Sequence, residues 1–300
     1  MRFTVDHPVV VREFDPALVT ADGMTRLARA VEELGYDALS FSEHPAPSQK
    51  WLDAGGHQSL DQTSALAFCA AVTRRIRLMT YLLVVPYHNP FLAAKALTTV
   101  DVLSSGRLTV VAGSGYLRSE FLALGVDFEK RNEIFDEAVQ VMRGVWSEVP
   151  YAFDGDFFHA RGVASLPAPV QQGGPPILVG GNGVIARQRA ARLQGWSPIM
   201  VSSETAKTAR TPGIASVEEL GSRIQEVRAA AAEAGSPTTV IQAHTPHTVF
   251  LQKPGSVEEH RDHLGRLAEV GVDSFVLRPP ADTIEHTLDA LQEYAETFLG

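Results

Sequence analysis

The chain has 300 residues and a formal net charge of −9, with 45% hydrophobic and 20% charged residues. That is ordinary globular composition with enough apolar side chains for a sizeable core, and the length suits one large α/β domain. The acidic balance argues against non-specific nucleic-acid binding, which needs clustered Lys and Arg; the densest basic run, Arg74-Arg75-Ile76-Arg77, reads as a helix end followed by a strand start. The single cysteine, Cys69, excludes an internal disulfide and a Cys-rich metal site. It falls in an apolar helical run and is expected to be a buried thiol. The N-terminus lacks a signal-peptide pattern and no window is apolar enough to span a membrane, so a cytoplasmic protein is expected.

In chain order, Phe3-Thr4-Val5 reads as a strand and Thr25 to Leu34 as a helix. The latter ends near Gly35 and leads into the strand Ala38-Leu39-Ser40-Phe41. Asp61 can cap a helix through Ala71, followed by the strand Ile76 to Val85. Pro90 to Leu103 is the next helix, then the strand Leu108 to Ala112. Glu129 to Trp146 places Ile134, Ala138, Val141 and Val145 on one face, close to the helical period. Pro150 to Pro176 is irregular; aromatics around Asp154-Gly155-Asp156 predict an inserted hairpin, a candidate lid. Ile177-Leu178-Val179 is a buried-type strand, and Ile185 to Leu193 a helix. In the last third, Ser216-Val217-Glu218-Glu219 and Ser256-Val257-Glu258-Glu259 read as capping boxes, and Asp282 is expected to cap the final helix with its carboxylate. Gly35, Gly195 and Gly271 each end a helix just before a strand. Strand–helix alternation about eight times predicts a parallel sheet closed into a (β/α)₈ barrel, one domain over residues 1–300 with an insertion at 150–176.

In such a barrel, chemistry sits at the C-terminal ends of the strands. Ser42-Glu43-His44-Pro45 follows the second strand, where His44 is either a general acid/base or a structural loop histidine. Tyr81 to Val85 is an apolar wall suited to a planar ring, or simply barrel core. Gly113-Ser114-Gly115-Tyr116 lacks the third glycine of a dinucleotide fingerprint, since Arg118 occupies that place; a close backbone approach to a ligand remains. Gly180-Gly181-Asn182-Gly183 opens a helix, either as an anion site for a phosphate or as a flexible turn. The scattered histidines show no metal-binding pair, and His244 and His247, flanking Pro246, read as a strand or its turn.

The order of Gly35-Tyr36-Asp37, Ser42-Glu43-His44-Pro45, Pro86-Tyr87-His88-Asn89-Pro90, Asp101 to Arg107, Gly113-Ser114-Gly115-Tyr116 with Glu120-Phe121, and Gly180-Gly181-Asn182 resembles the bacterial luciferase-like monooxygenase superfamily. The nearest resemblance is to its branch using the deazaflavin coenzyme F420. It covers nearly the whole chain and is densest from Gly35 to Trp146. The resemblance implies a ring cofactor across the C-terminal mouth, with His44 beside the ring and Tyr81-Leu82 as a non-proline cis peptide backing it. Ser114, Gly115 and Tyr116 would contact the cofactor, and Gly180, Gly181, Asn182 and Gly183 its phosphate. Glu43, where that branch commonly has Asp, is counted with the cofactor residues, although strand alternation turns it away from the face of His44. Tyr116 stands where some deazaflavin dehydrogenases carry a catalytic Glu, which separates this chain from their alcohol- or sugar-oxidising chemistry. The expectation is an F420-dependent oxidoreductase passing hydride to a small organic substrate, with His44 or Tyr116 handling the proton. An FMN-dependent monooxygenase using O₂ is the alternative, and a non-catalytic flavin-binding protein the third reading. A homodimer is the expected assembly.

Overall fold

The computed structural model describes residues 1–201, 206, 211–236, 239–253 and 255–299. Eight parallel strands close into a barrel: β1 (Arg2–Asp6), β2 (Ala38–Phe41), β3 (Arg77–Val84), β4 (Leu108–Gly113), β7 (Ile177–Gly180), β8 (Gly195–Ser197), β9 (Val240–Ala243) and β10 (Ser274–Leu277). Each pairs with its neighbours around the ring, and β10 returns to β1 with Val5 opposite Leu277. The remaining strands, β5 (Tyr151–Asp154) and β6 (His159–Val163), form a separate antiparallel hairpin.

Helices cover the outside because their apolar stripes match the strands' outward faces. Helix α1 (Ala21–Glu33) is capped by Thr20, whose hydroxyl accepts from the Gly23 N–H. Helix α3 (Gln62–Val72) is capped by Asp61, as the sequence predicts, and carries Cys69 fully buried. Burial pushes that thiol up to about 12, so it stays protonated and inert. The turn after α3 is made by Glu32, which accepts from the backbone N–H groups of Arg74, Arg75 and Ile76. Helix α6 (Arg131–Ser147) buries Ile134, Ala138, Val141 and Val145 on one side.

Three local expectations change. Ser216 and Ser256 do accept the N–H groups of Glu219 and Glu259, but Glu219 reaches back to the Ala215 N–H instead of closing a box on Ser216. The final helix, Ile284–Phe298, is capped by Thr283; Asp282 lies one residue too early and bonds the His286 ring instead. Gly35 and Gly271 have positive φ, whereas Gly195 lies inside β8, where a Cβ would stand 2.4 Å from the Val240 carbonyl oxygen. It is a glycine for close packing, not for a helix stop.

The hairpin exists, but it is no lid. The buried Asp101 carboxylate accepts from the N–H groups of Val170 and Gln171 and from the Gln171 side-chain amide. Gln171 also donates to the Leu108 carbonyl, at the start of β4. These bonds hold the insertion at the N-terminal end of the barrel. Its tip folds against α6, where Glu137 accepts from the N–H groups of Asp156, Phe157 and Phe158. None of its residues reaches the cavity at the other end.

Candidate active site

A cavity of about 590 Å³ opens at the C-terminal mouth, within the range of small-molecule and cofactor sites. Its floor is Leu82, Val84 and Val179. The Tyr81–Leu82 peptide is cis, and the register against β4 shifts between Tyr81 and Leu83. Gly113 and Gly180 make room for this bulge: a Cβ at either would come within 2.7 or 2.5 Å of the Leu82 side chain. The glycines ending β4 and β7 are thus dictated by one neighbouring leucine.

His44 lines the cavity wall just beyond β2. Its Nδ1 lies 3.1 Å from Glu120 Oε2, and Glu120 is fully buried. The same carboxylate accepts from the Tyr87 hydroxyl at 3.0 Å and the Ala46 N–H at 3.2 Å. An ionised carboxylate only accepts, so the proton of a neutral His44 belongs on Nδ1, leaving Nε2 as the acceptor. Trp51 and His57 pack on the ring at centroid distances of 4.5 and 4.8 Å, and Tyr116 meets it edge-on at 6.2 Å. Burial and the Glu120 charge push the Tyr116 phenol up to about 12, so at neutral pH it is a donor.

Glu43 also borders the cavity, but its carboxylate is engaged with β3 and the turn after it and does not meet the His44 ring. It accepts from the Val84 N–H at 2.6 Å and contacts His88 Nε2 at 2.7 Å. Its carboxylate therefore secures the end of β3 behind the bulge. That pairing raises the His88 pKa against the opposing effect of burial.

The far end of the cavity meets the start of α7 (Val184–Arg192). Gly183 is its N-cap and provides no side-chain cap, so the first turn presents backbone N–H groups and the positive end of the helix dipole. Gly181 has φ +104, a conformation that favours glycine. Gly180, Gly181 and Gly183 line the cavity, but Asn182 does not. Its amide donates to the carbonyls of Ile199 and Pro212 and accepts from the Ile199 N–H, while its own N–H goes to the Thr211 hydroxyl. Asn182 is a strut under the loop, and its expected ligand contact is corrected accordingly. The remaining expected residues, Tyr81, Leu82, Ser114, Gly115 and Tyr116, all border the cavity. Phe128, Arg131, Asn132, Phe135 and Arg189 add a second wall that sequence reading missed.

The family model for luciferase-like monooxygenases matches residues 1–250. This chain belongs to the luciferase-like monooxygenase family. Its relatives and structural neighbours include FMNH(2)-dependent monooxygenases and F420-dependent oxidoreductases. The chain is 32% identical over 143 residues to the FMNH(2)-dependent dimethylsulfone monooxygenase of Pseudomonas putida, a match covering 47% of this chain and 38% of that protein. It thus spans well under half the length of that relative. Monooxygenase RslO1 from Streptomyces bottropensis is 25% identical, with a TM-score of 0.76 over 100% of this chain and 99% of that one. The coenzyme F420 dependent tetrahydromethanopterin reductase from Methanopyrus kandleri is 13% identical with a TM-score of 0.75, covering 99% of this chain and 98% of that one, and shares the fold.

Among the described residues no group of His, Cys, Asp and Glu is arranged to hold a metal, and no helix is long and apolar enough to cross a membrane. Glu120 belongs to one of the motifs that carry the family resemblance, with no role expected of it. It rides on the short helix α5 (Arg118–Ala123), whose six residues give too little periodicity to read.

Proposed function

We propose that this protein is a reduced-FMN-dependent monooxygenase acting on a small organic substrate. The observation that carries this reading is the His44–Glu120 pair on the wall of a cavity that also ends at the uncapped start of α7. A flavin fits these residues: the apolar Leu82, Val84 and Val179 would lie under the ring, and the Gly181–Gly183 turn with the first N–H groups of α7 would hold the phosphate. Reduced flavin supplies the two electrons that split O₂, one oxygen atom going to the substrate and the other, with two protons, to water.

The chain's own residues would orient the partners, exclude water and move the proton. Glu120 holds the His44 ring and its tautomer, so Nε2 takes a proton from the cavity while Nδ1–H stays bonded. The Tyr116 hydroxyl donates a hydrogen bond to developing negative charge. Tyr87 and the Ala46 N–H keep Glu120 satisfied, which leaves the pair rigid.

Sequence motifs placed F420 first. Two observations reverse that order. One relative at 32% identity is an FMNH(2)-dependent monooxygenase and the solved monooxygenase RslO1 is 25% identical, whereas the F420-dependent structures are 13% and 16% identical. Arg189 and Arg187, near the phosphate turn, are already paired with Asp136 and Glu226, which suits one phosphate better than the extended carboxylate-bearing tail of F420. F420-dependent hydride transfer is the second reading, favoured by the order of motifs from Gly35 to Asn182.

The test supplies FMNH₂ from a separate flavin reductase, with isotopically heavy O₂ and a panel of ketones, sulfones and phenols. One labelled oxygen atom in a product is the expected result. Substrate turnover with reduced F420 in the absence of O₂, and none with FMNH₂, would overturn it.

A further inference from the structure

The cavity also reaches a polar pole at the ends of β1, β2 and β10, away from the phosphate turn. Asp6, the last residue of β1, is fully buried. Its Oδ1 accepts from the Ser40 hydroxyl at 3.1 Å, and its Oδ2 from Arg278 Nη2 and Nε at 3.0 and 3.3 Å. Arg278 is thereby clamped along one edge of its guanidinium, yet its side chain keeps 22% exposure and lines the cavity. Ser42 follows two residues after Ser40, just beyond the end of β2, and lines the cavity. Its hydroxyl is buried on the cavity wall and has no hydrogen-bond partner among the described residues. A buried orphan donor of this kind calls for an explanation, and a ligand is one.

The charge at this pole decides what kind of ligand. Arg278 is opposed by Asp6, the Glu43 carboxylate lies in the adjacent wall, and the Glu120 carboxylate is buried behind His44. His57 and His244 add no positive charge at neutral pH, since burial lowers their pKa values to about 4 and about 3. The fixed charge is zero or negative, so an anion gains nothing there, while hydrogen-bond donors remain on offer.

We propose that this pole is the substrate subsite and selects an uncharged carbonyl compound, whose oxygen accepts from the outward edge of Arg278 and from the Ser42 hydroxyl. The inference rests on the flavin reading above for what happens to the substrate, but not for its binding.

Three near-isosteric probes test it: acetophenone, benzoate and ethylbenzene. Binding is followed by ligand-detected NMR on the full chain, with and without FMN, and FMN affinity is measured on the same samples. Acetophenone is expected to bind about tenfold or more tighter than either analogue, the discrimination typical of a hydrogen bond from a charged donor. Arg278→Met and Ser42→Ala should each lose most of that preference and bind ethylbenzene as the wild type does. If Arg278→Met does not fold, Arg278→Lys, which keeps a charge opposite Asp6 but not the fork, carries the same expectation. Benzoate binding as tightly as acetophenone, equal binding of ethylbenzene, or variants that retain the full preference would overturn the proposal. Failure of FMN to bind while the ketone preference persists would instead remove the flavin reading and leave the subsite standing.

Discussion

The His44 imidazole and the Glu120 carboxylate, 76 positions apart in sequence, meet at 3.1 Å, with the carboxylate wholly buried and also bonded to Tyr87 and Ala46. A carboxylate on one ring nitrogen fixes both the ring plane and the tautomer. On the flavin reading, Glu120 is a positioning residue and His44 Nε2 takes the proton. Substituting Glu120→Gln should keep the shape but allow the amide to donate, so that the ring is no longer confined to one tautomer. Turnover is expected to fall about 10- to 100-fold with FMN affinity within a factor of a few. Equal losses in turnover and in thermal stability, with the pH profile unchanged, would make the pair merely structural.

Replacing His44 itself should be more severe. His44→Ala is expected to lower turnover by roughly 10²–10⁴, while flavin binding, which leans on the floor and the α7 turn, is little changed. Steady-state rates paired with flavin titration separate the two. Wild-type turnover would transfer the proton role to Tyr116.

At the phosphate turn, Gly181→Asp should weaken FMN binding by at least about tenfold. Space is not the reason, because the nearest atom to an added Cβ is Ala186 Cβ at 3.7 Å. The cost comes from φ +104 and from a carboxylate set beside the phosphate. Raising ionic strength should recover part of the loss, because salt screens the charge but not the backbone. An unchanged affinity would place the phosphate elsewhere.

The site is partly legible from sequence because barrel chemistry sits at strand ends. That rule picks out His44, Tyr116 and the Gly180–Gly183 turn, and it applies equally to Val5-Asp6-His7 and Leu277-Arg278-Pro279, whose short polar signals no motif marks. Glu120 and His57 obey no such rule. One rides on a single short helix and the other in the long loop between β2 and α3, so only tertiary packing brings them to His44. The hairpin at 151–163 was readable from its aromatics and turn, but its position was not. The buried Asp101 carboxylate decides it, through bonds to residues about 70 positions away.

The insertion offers its own check. Asp101→Ala would leave the N–H groups of Val170 and Gln171 without their acceptor, at a cost of about 1–3 kcal/mol for each group that stays buried. Faster amide exchange over 150–176 and a lower melting temperature should follow, with FMN affinity unaltered. A large loss of FMN binding would restore the lid.

Three buried or partly buried imidazoles make stability depend on pH. His7, His57 and His244 have folded-state pKa values of about 4, about 4 and about 3, lowered chiefly by burial from an ordinary 6.5. The unfolded chain therefore binds more protons than the folded one between about pH 4 and 6.5. Stability is present above 6.5 and is lost as pH falls, by up to about 1.4 kcal/mol per pH unit per group. Melting temperatures should drop from pH 7 to pH 5, and the slope should be shallower in His244→Leu. An equal slope in that variant would exclude this histidine from the effect.

The most direct test of the flavin reading is an anaerobic calorimetric titration of the purified chain with FMNH₂ and with reduced F420. The account predicts that FMNH₂ binds the tighter of the two and that Gly181→Asp weakens it, while His44→Ala leaves its affinity nearly unchanged. Tighter binding of F420, or FMNH₂ binding that is indifferent to Gly181, would contradict it.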